Sequence, residues 1–210
     1  MKYPILMADI IHSGRKDSKK LMEEFKELVL TINSKNKENL ISPLTITLGD
    51  EFQGLINTME NGIKTIFNLE ETILSNEYDF KLRYVLLFGE IETDINTKVA
   101  YEMLGNGLTE ARKTLNNLKN KDSRFWIYLG SNEKIKEDYL NKIFLIYQNF
   151  IDSWKEKDLK IVNEFLSYDD YKIVAKNVNI DQSNAWRRKK SLNIVEYKDI
   201  KKIILYILKS

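Results

Sequence analysis

The sequence predicts an α+β fold, with a sheet built from the amino-terminal part and an all-helical carboxy-terminal part. Three observations carry this. Strand-like and helix-like apolar patterns alternate from the start of the chain to Gly130. After Gly130 every apolar pattern has helical period. Two prolines and eight glycines in 210 residues leave no long linker between the parts.

Tyr3 to Ile11 is almost continuously apolar, as a central buried strand should be. The polar stretch from His12 to Ser18 reads as a loop around Gly14. A helix follows, with Leu21, Phe25, Leu28, Val29 and Ile32 at helical spacing and Asp17 or Ser18 as its cap. Leu44 to Leu48 alternates with period two, Gly49-Asp50-Glu51 turns tightly, and Phe52 to Ile56 returns, which together predict a hairpin. A second helix is expected from about Met59 to Leu74, then a strand from Leu82 to Phe88. The resulting order β-α-β-β-α-β is the ferredoxin-like unit. A shorter helical region spans Thr97 to Leu118, and Arg124 to Leu129 is a further strand. The expected organisation is a sheet domain over residues 1–130 and a helical domain over 131–210. The latter opens with a strongly amphipathic helix from Ile135 to Trp154. Its apolar face exceeds what one small domain needs, which predicts a homodimer.

Composition narrows the chemistry. Cysteine is absent, so there is no disulfide, thiolate ligand or cysteine nucleophile. The single histidine, His12, excludes a multi-histidine zinc site within one chain. No run of 18 apolar residues exists. Met1 to Ile11 lacks a basic lead and a small-residue cleavage site, so it reads as a strand, not a signal peptide, and the expected location is cytoplasmic. The net charge of +2 is unevenly placed. From Asp181 to Ser210, eight Lys and Arg face three Asp and Glu, a net of +5, which leaves −3 for the rest. A basic tail on a mildly acidic body points to an anionic partner.

Asp9 is the one charge in an apolar strand. A lone buried carboxylate costs several kcal/mol (roughly, after relaxation), so it requires a partner. In a ferredoxin-like sheet the first strand runs antiparallel beside the third, which brings Asp9 next to Asp50 at the hairpin tip. Two converging carboxylates repel unless a cation lies between them. Mg²⁺ suits such a pair, since it takes one or two carboxylates plus phosphates. The loop with Ser13, Gly14 and Arg15 leaves the same edge and leads into a helix, where backbone N–H groups can cradle phosphate. Asp50 as a plain turn residue and Asp9 as an ion-paired core acid remain the alternative.

These stretches resemble known families. Asp9-Ile10-Ile11 followed by Gly49-Asp50-Glu51-Phe52 resembles the two metal-binding stretches of class III nucleotide cyclases, and Tyr101 to Arg112 is similar to their base-contacting and transition-state segment. The resemblance implies a cyclase-like (palm-like) sheet, Mg²⁺ (or Mn²⁺) held at Asp9, Ile10 and Asp50, and a nucleoside triphosphate ligand. It implies base contact by Glu102, transition-state contact by Thr109 and Arg112, and a homodimer in which Arg112 reaches the partner's aspartates. The chain departs from the cyclase pattern in three places. Ile46 replaces a base-selecting lysine, Thr109 replaces an asparagine, and Arg112 follows Thr109 by three residues where the cyclase arginine follows by four. A closer resemblance, over nearly the whole chain, is to the SatD family. It rests on Asp9 to Ser13, on Thr45-Ile46-Thr47-Leu48-Gly49-Asp50-Glu51-Phe52-Gln53-Gly54, on Gly89-Glu90-Ile91 and on Gly105 to Arg112.

Tyr171 to Lys190 resembles a helix-turn-helix. Ala175 is small where the helices would cross, Asn179 tolerates the left-handed turn position, and Asp181 or Ser183 can cap the second helix. Gln182, Asn184, Arg187, Arg188, Lys189 and Lys190 are the residues expected to meet double-stranded DNA. A small protein-docking cap is the competing reading, and Ile200 to Leu208 supplies a third helix in either case. Three functions follow: a nucleotide- and Mg²⁺-binding regulator with a DNA-binding tail, an active cyclase-type enzyme, or an interaction module whose acids are a relic. An Asp9 paired to an internal Lys or Arg favours the third.

Overall fold

The computed structural model describes residues 1–11 and 18–209. The sheet has five strands in the order β2-β3-β1-β4-β5. Its centre is β1 (Lys2–Ile10), with β3 (Glu51–Ile56) and β4 (Leu82–Glu90) antiparallel on either side. The outer strands are β2 (Leu40–Ile46), antiparallel to β3, and β5 (Phe125–Tyr128), parallel to β4. The first four strands keep the ferredoxin-like order.

Each face of β1 has its own core, as period-two alternation requires. Leu6, Ala8 and Ile10 face α1 (Ser18–Lys35) and α2 (Met59–Ser75). Ile5 and Met7 face α3 (Asn106–Asn117) in a smaller cluster with Val85, Leu87, Ala111 and Leu115. Asp9 shares the α3 face by parity. The carboxy-terminal helices are α4 (Lys134–Ser153), α5 (Glu156–Ser167), α6 (Tyr171–Val178), α7 (Gln182–Ser191) and α8 (Ile194–Lys209). Gly130, at positive φ, marks the change from sheet to helices. The apolar core continues through it, from Leu6 and Phe125 to Phe144, Phe165, Tyr197 and Ile204.

Three expected boundaries move. The helical region expected from Thr97 is helix only from Asn106, because Ala100 is held to the hairpin instead. Its N–H donates to Thr45 Oγ1 at 2.9 Å, and its carbonyl accepts from Gln53 Nε2. Glu102, at positive φ, and Gly105, whose carbonyl starts α3, complete the break. β2 begins earlier than expected, at Leu40, because Leu40 and Ser42 pair with Ile56 and Leu55 of β3, and the Asn33 side chain ties down the Leu44 backbone at 2.8 Å on this edge strand. The last helix begins at Ile194, not Ile200.

Between α6 and α7 the chain turns at Asn179, with φ 58° and ψ 53°, and Ile180 N–H donates to the Ala175 carbonyl at 3.0 Å. This left-handed C-cap is where an L residue with an ordinary Cβ is strained. Asn179→Ala should therefore destabilise by about 1 kcal/mol, while Asn179→Gly is neutral or better. Urea unfolding of both variants checks this. Among the described residues no helix is long and apolar enough to cross a membrane.

Candidate functional site

Asp9 and Asp50 lie near each other at one end of the sheet. The Ile10 N–H donates to the Asp50 carbonyl at 2.9 Å, which fixes the hairpin tip beside the end of β1. The Asp9 carboxyl is raised from its ordinary value, mainly by burial, with the Asp50 charge adding to the rise and Arg83 opposing it. The Ile10 side chain is buried on the opposite face, so only its backbone can belong to this site. Ser13, Gly14, Arg15 and His12 lie outside the described residues.

Asp9 already has a partner. In the strand register it stands opposite Arg83 on β4 and opposite Glu51 on β3. Arg83 Nε donates to Oδ1 at 2.8 Å and Nη2 to Oδ2 at 3.0 Å, a two-pronged ion pair with both side chains largely buried. Glu51 is matched in turn by Arg112, whose Nη2 reaches Oε1 at 2.7 Å, with Thr47 Oγ1 at 3.2 Å on the same oxygen. A charged row, Glu51–Asp9–Arg83, thus crosses three strands, and Arg112 closes it from α3.

Along the same face, Met7 and Gln53 floor a cleft of about 630 Å³ between α3, the hairpin and residues 101–103. Glu102, Thr109, Arg112 and Lys113 line it. The structure therefore brings Glu102, Thr109 and Arg112 around one cavity, with the acids just beyond its floor toward the strand end. Within the chain Arg112 contacts Glu51, because α3 crosses directly over β1 and β4.

Among the described residues no three His, Cys, Asp or Glu converge as a metal cluster. The donor chemistry of Asp9 and Asp50 nevertheless fits a Mg²⁺ ion that takes its remaining ligands from phosphate and water. Arg83 and Glu51 escaped the sequence reading. The signal for Arg83 was present: it is the one charge in Leu82 to Phe88, as Asp9 is in Tyr3 to Ile11.

At the other end of the chain, Asp181 caps α7 by accepting from Asn184 N–H at 2.7 Å. Gln182, Trp186, Arg187 and Lys190 are exposed on α7, with Lys190 Nζ 3.9 Å from the Trp186 ring centre. Asn184 is half-buried beside its cap. Two expected DNA contacts, both half-buried, are engaged within the chain. Arg188 pairs with Asp158 on α5, and Lys189 Nζ donates to the Asp169 carbonyl at 2.6 Å. The periodicity of a ten-residue helix packed on α6 and α8 turns Arg188 this way, because positions 188 and 192 share the inner side with Ala185.

The model of the SatD family matches residues 3–205. No curated protein matches the sequence. Among solved structures, a bacterial light-regulated adenylyl cyclase is similar with 13% identity and a TM-score of 0.47, over 60% of this chain and 74% of that one. The guanylate cyclase domain of RhGC from Catenaria anguillulae, solved in complex with GTP, is similar with 16% identity and a TM-score of 0.39, over 53% of this chain and 70% of that one.

Proposed function

Starting from the fact that this chain belongs to the SatD family, we propose that it is a cytoplasmic nucleotide-binding regulator whose α6–α7 unit reads double-stranded DNA. The observation that carries the nucleotide part is the nearness of Asp9 and Asp50 at the sheet end, beside a cleft lined by Arg112 and Lys113. The carboxylates hold Mg²⁺ (or Mn²⁺), which when bound supplies charge neutralisation for a triphosphate. Arg112 and Lys113 draw the phosphates into the cleft, and Arg112 exchanges its Glu51 contact for them. Glu102 meets the rest of the nucleotide from the opposite wall, and Thr109 meets it from the α3 side.

A thermal-shift screen of nucleoside triphosphates with and without Mg²⁺ tests this. A true ligand at 100 times its dissociation constant adds about 2.7 kcal/mol of stability. No shift with any triphosphate would remove the reading.

The DNA part is supported by the left-handed turn at Asn179, the cap at Asp181 and the exposed face of Gln182, Trp186, Arg187 and Lys190. Arg187→Ala should weaken duplex binding by roughly 1–3 kcal/mol and relax preference at one base pair if Arg187 reads a guanine. If it meets phosphate, all sequences weaken alike and the salt slope flattens. Selection from a random duplex pool near physiological salt checks both. Failure to enrich any motif, with or without nucleotide, would sink the DNA reading.

One observation favours a second reading. The Asp9–Arg83 pair is what a silent interaction module with a relic acid would carry. Such a protein would show no triphosphate shift at all. Turnover has the weakest support of the three, since Thr109 stands in place of the cyclase asparagine.

A further inference from the structure

The charged row at the sheet end is balanced one for one. Asp9 and Glu51 stand directly opposite each other, a like-charge cross-strand pair that is unfavourable unless neutralised. Arg83 answers Asp9 and Arg112 answers Glu51. The two arginines are not equivalent. Arg112 is 42% exposed and lines the open cleft, whereas Arg83 is 13% exposed and sits within the sheet face. Arg83 also engages both oxygens of its carboxylate, and Arg112 engages one oxygen.

A divalent cation at Asp9 would bind these same oxygens at about 2.1 Å, next to a guanidinium at hydrogen-bonding distance. Screening is weak at so little exposure, so the two positive groups repel strongly. Asp50 and Glu51 attract the cation to this point. Arg112 and the nearby Lys119 oppose it, and Arg83 opposes it at the shortest range.

We propose that Arg83 is a gate on cation binding: its guanidinium is the resident counter-ion of Asp9, and it sets how much divalent cation is needed before Asp9 becomes a ligand. This rests on the reading of Asp9 as a cation ligand. It assigns Arg83 a positioning role that neither the strand pattern nor the family resemblance provides. It also joins the two readings of Asp9: the ion pair is the unloaded state of the site and no sign that the site is dead.

The test is a titration of the full-length protein with Mn²⁺ alone, read by the electron paramagnetic resonance of the free ion. Arg83→Met removes the charge and keeps the length; Arg83→Gln keeps a hydrogen bond to Asp9. Either should bind Mn²⁺ about tenfold more tightly than wild type, a difference of about 1.4 kcal/mol. Without cation both should melt lower than wild type, and Mn²⁺ should raise their melting temperatures more than it raises that of wild type. The gain should vanish in Asp9→Asn combined with Arg83→Met. Folded variants that bind Mn²⁺ no tighter than wild type overturn the proposal. So does unfolding of both variants that millimolar Mn²⁺ fails to reverse. Because Mn²⁺ is the whole probe, failure to bind any nucleotide would count against the regulator reading and leave this result untouched.

Discussion

Replacing Glu70 with Ala should cost about 3–5 kcal/mol and lower the melting temperature by roughly 6–20 °C. Glu70 lies on the apolar stripe of α2, between Phe67 and Ile73, and is almost fully buried. Its two carboxylate oxygens accept from Arg124 Nη1 at 2.7 Å and Nη2 at 2.6 Å. Arg124 also donates to the Leu82 carbonyl at 2.9 Å and lies 4.6 Å from the Phe125 ring centre. Burial alone would push this guanidinium down, but the charge of Glu70 reverses that and holds Arg124 above its ordinary value. Without Glu70 the buried cation keeps the Leu82 carbonyl and, as its carboxylate partner, the more distant Asp152 at 3.4 Å. Breaking such a pair is costly, but replacing it whole is not. Glu70→Leu with Arg124→Met should therefore recover most of the loss. Calorimetry on the two variants decides this. A Glu70→Ala protein that melts like wild type would mean the pair carries no net stability.

The second large effect is expected at Gly107. A Cβ there would lie 2.7 Å from Glu90 N and from Gly89 C, both backbone atoms with no freedom to move aside. Gly89 faces the same problem from the strand, where a Cβ would meet Gly107 Cα at 2.7 Å. α3 thus crosses β4 backbone to backbone. Gly107→Ala must push the helix away, at a cost of about 3 kcal/mol. Because α3 carries Thr109, Arg112 and Lys113, the same change should separate Arg112 from Glu51 and weaken triphosphate binding. An alanine variant with wild-type melting and binding would contradict this account of the crossing.

That crossing also explains what the sequence hid. Gly89-Glu90-Ile91 and the Gly105 to Arg112 segment stand out as family signatures, which invites a catalytic reading. Their glycines serve the close approach of a helix to a strand. The Thr45 to Gly54 block divides in the same way. Thr45 and Gln53 hold the Ala100 backbone, Gly54 has Leu44 against it, and Thr47, Leu48 and Gln53 line the cleft. The sheet order was readable because apolar runs and a Gly-Asp turn specify strands and a hairpin locally. The pairing of Asp9 with Arg83 was not read, although strand register makes it a consequence of the same topology. In α7, composition indicated a basic helix but could not say which side packs. Arg188 and Lys189 are engaged by Asp158 on α5 and by the Asp169 carbonyl, 30 and 20 residues away in sequence.

The central claim is that Asp9 and Asp50 form a cation-dependent triphosphate site. Asp50 is the residue to test, since it sits at the hairpin tip and not within the core strand. Isothermal titration with ATP, GTP, CTP and UTP, each with and without Mg²⁺, should find a triphosphate that wild type binds only with Mg²⁺. Asp50→Asn should bind that ligand at least tenfold more weakly, a loss of about 1.4 kcal/mol or more, with its fold intact. Equal binding by Asp50→Asn and wild type, or binding by wild type that ignores Mg²⁺, would contradict the account.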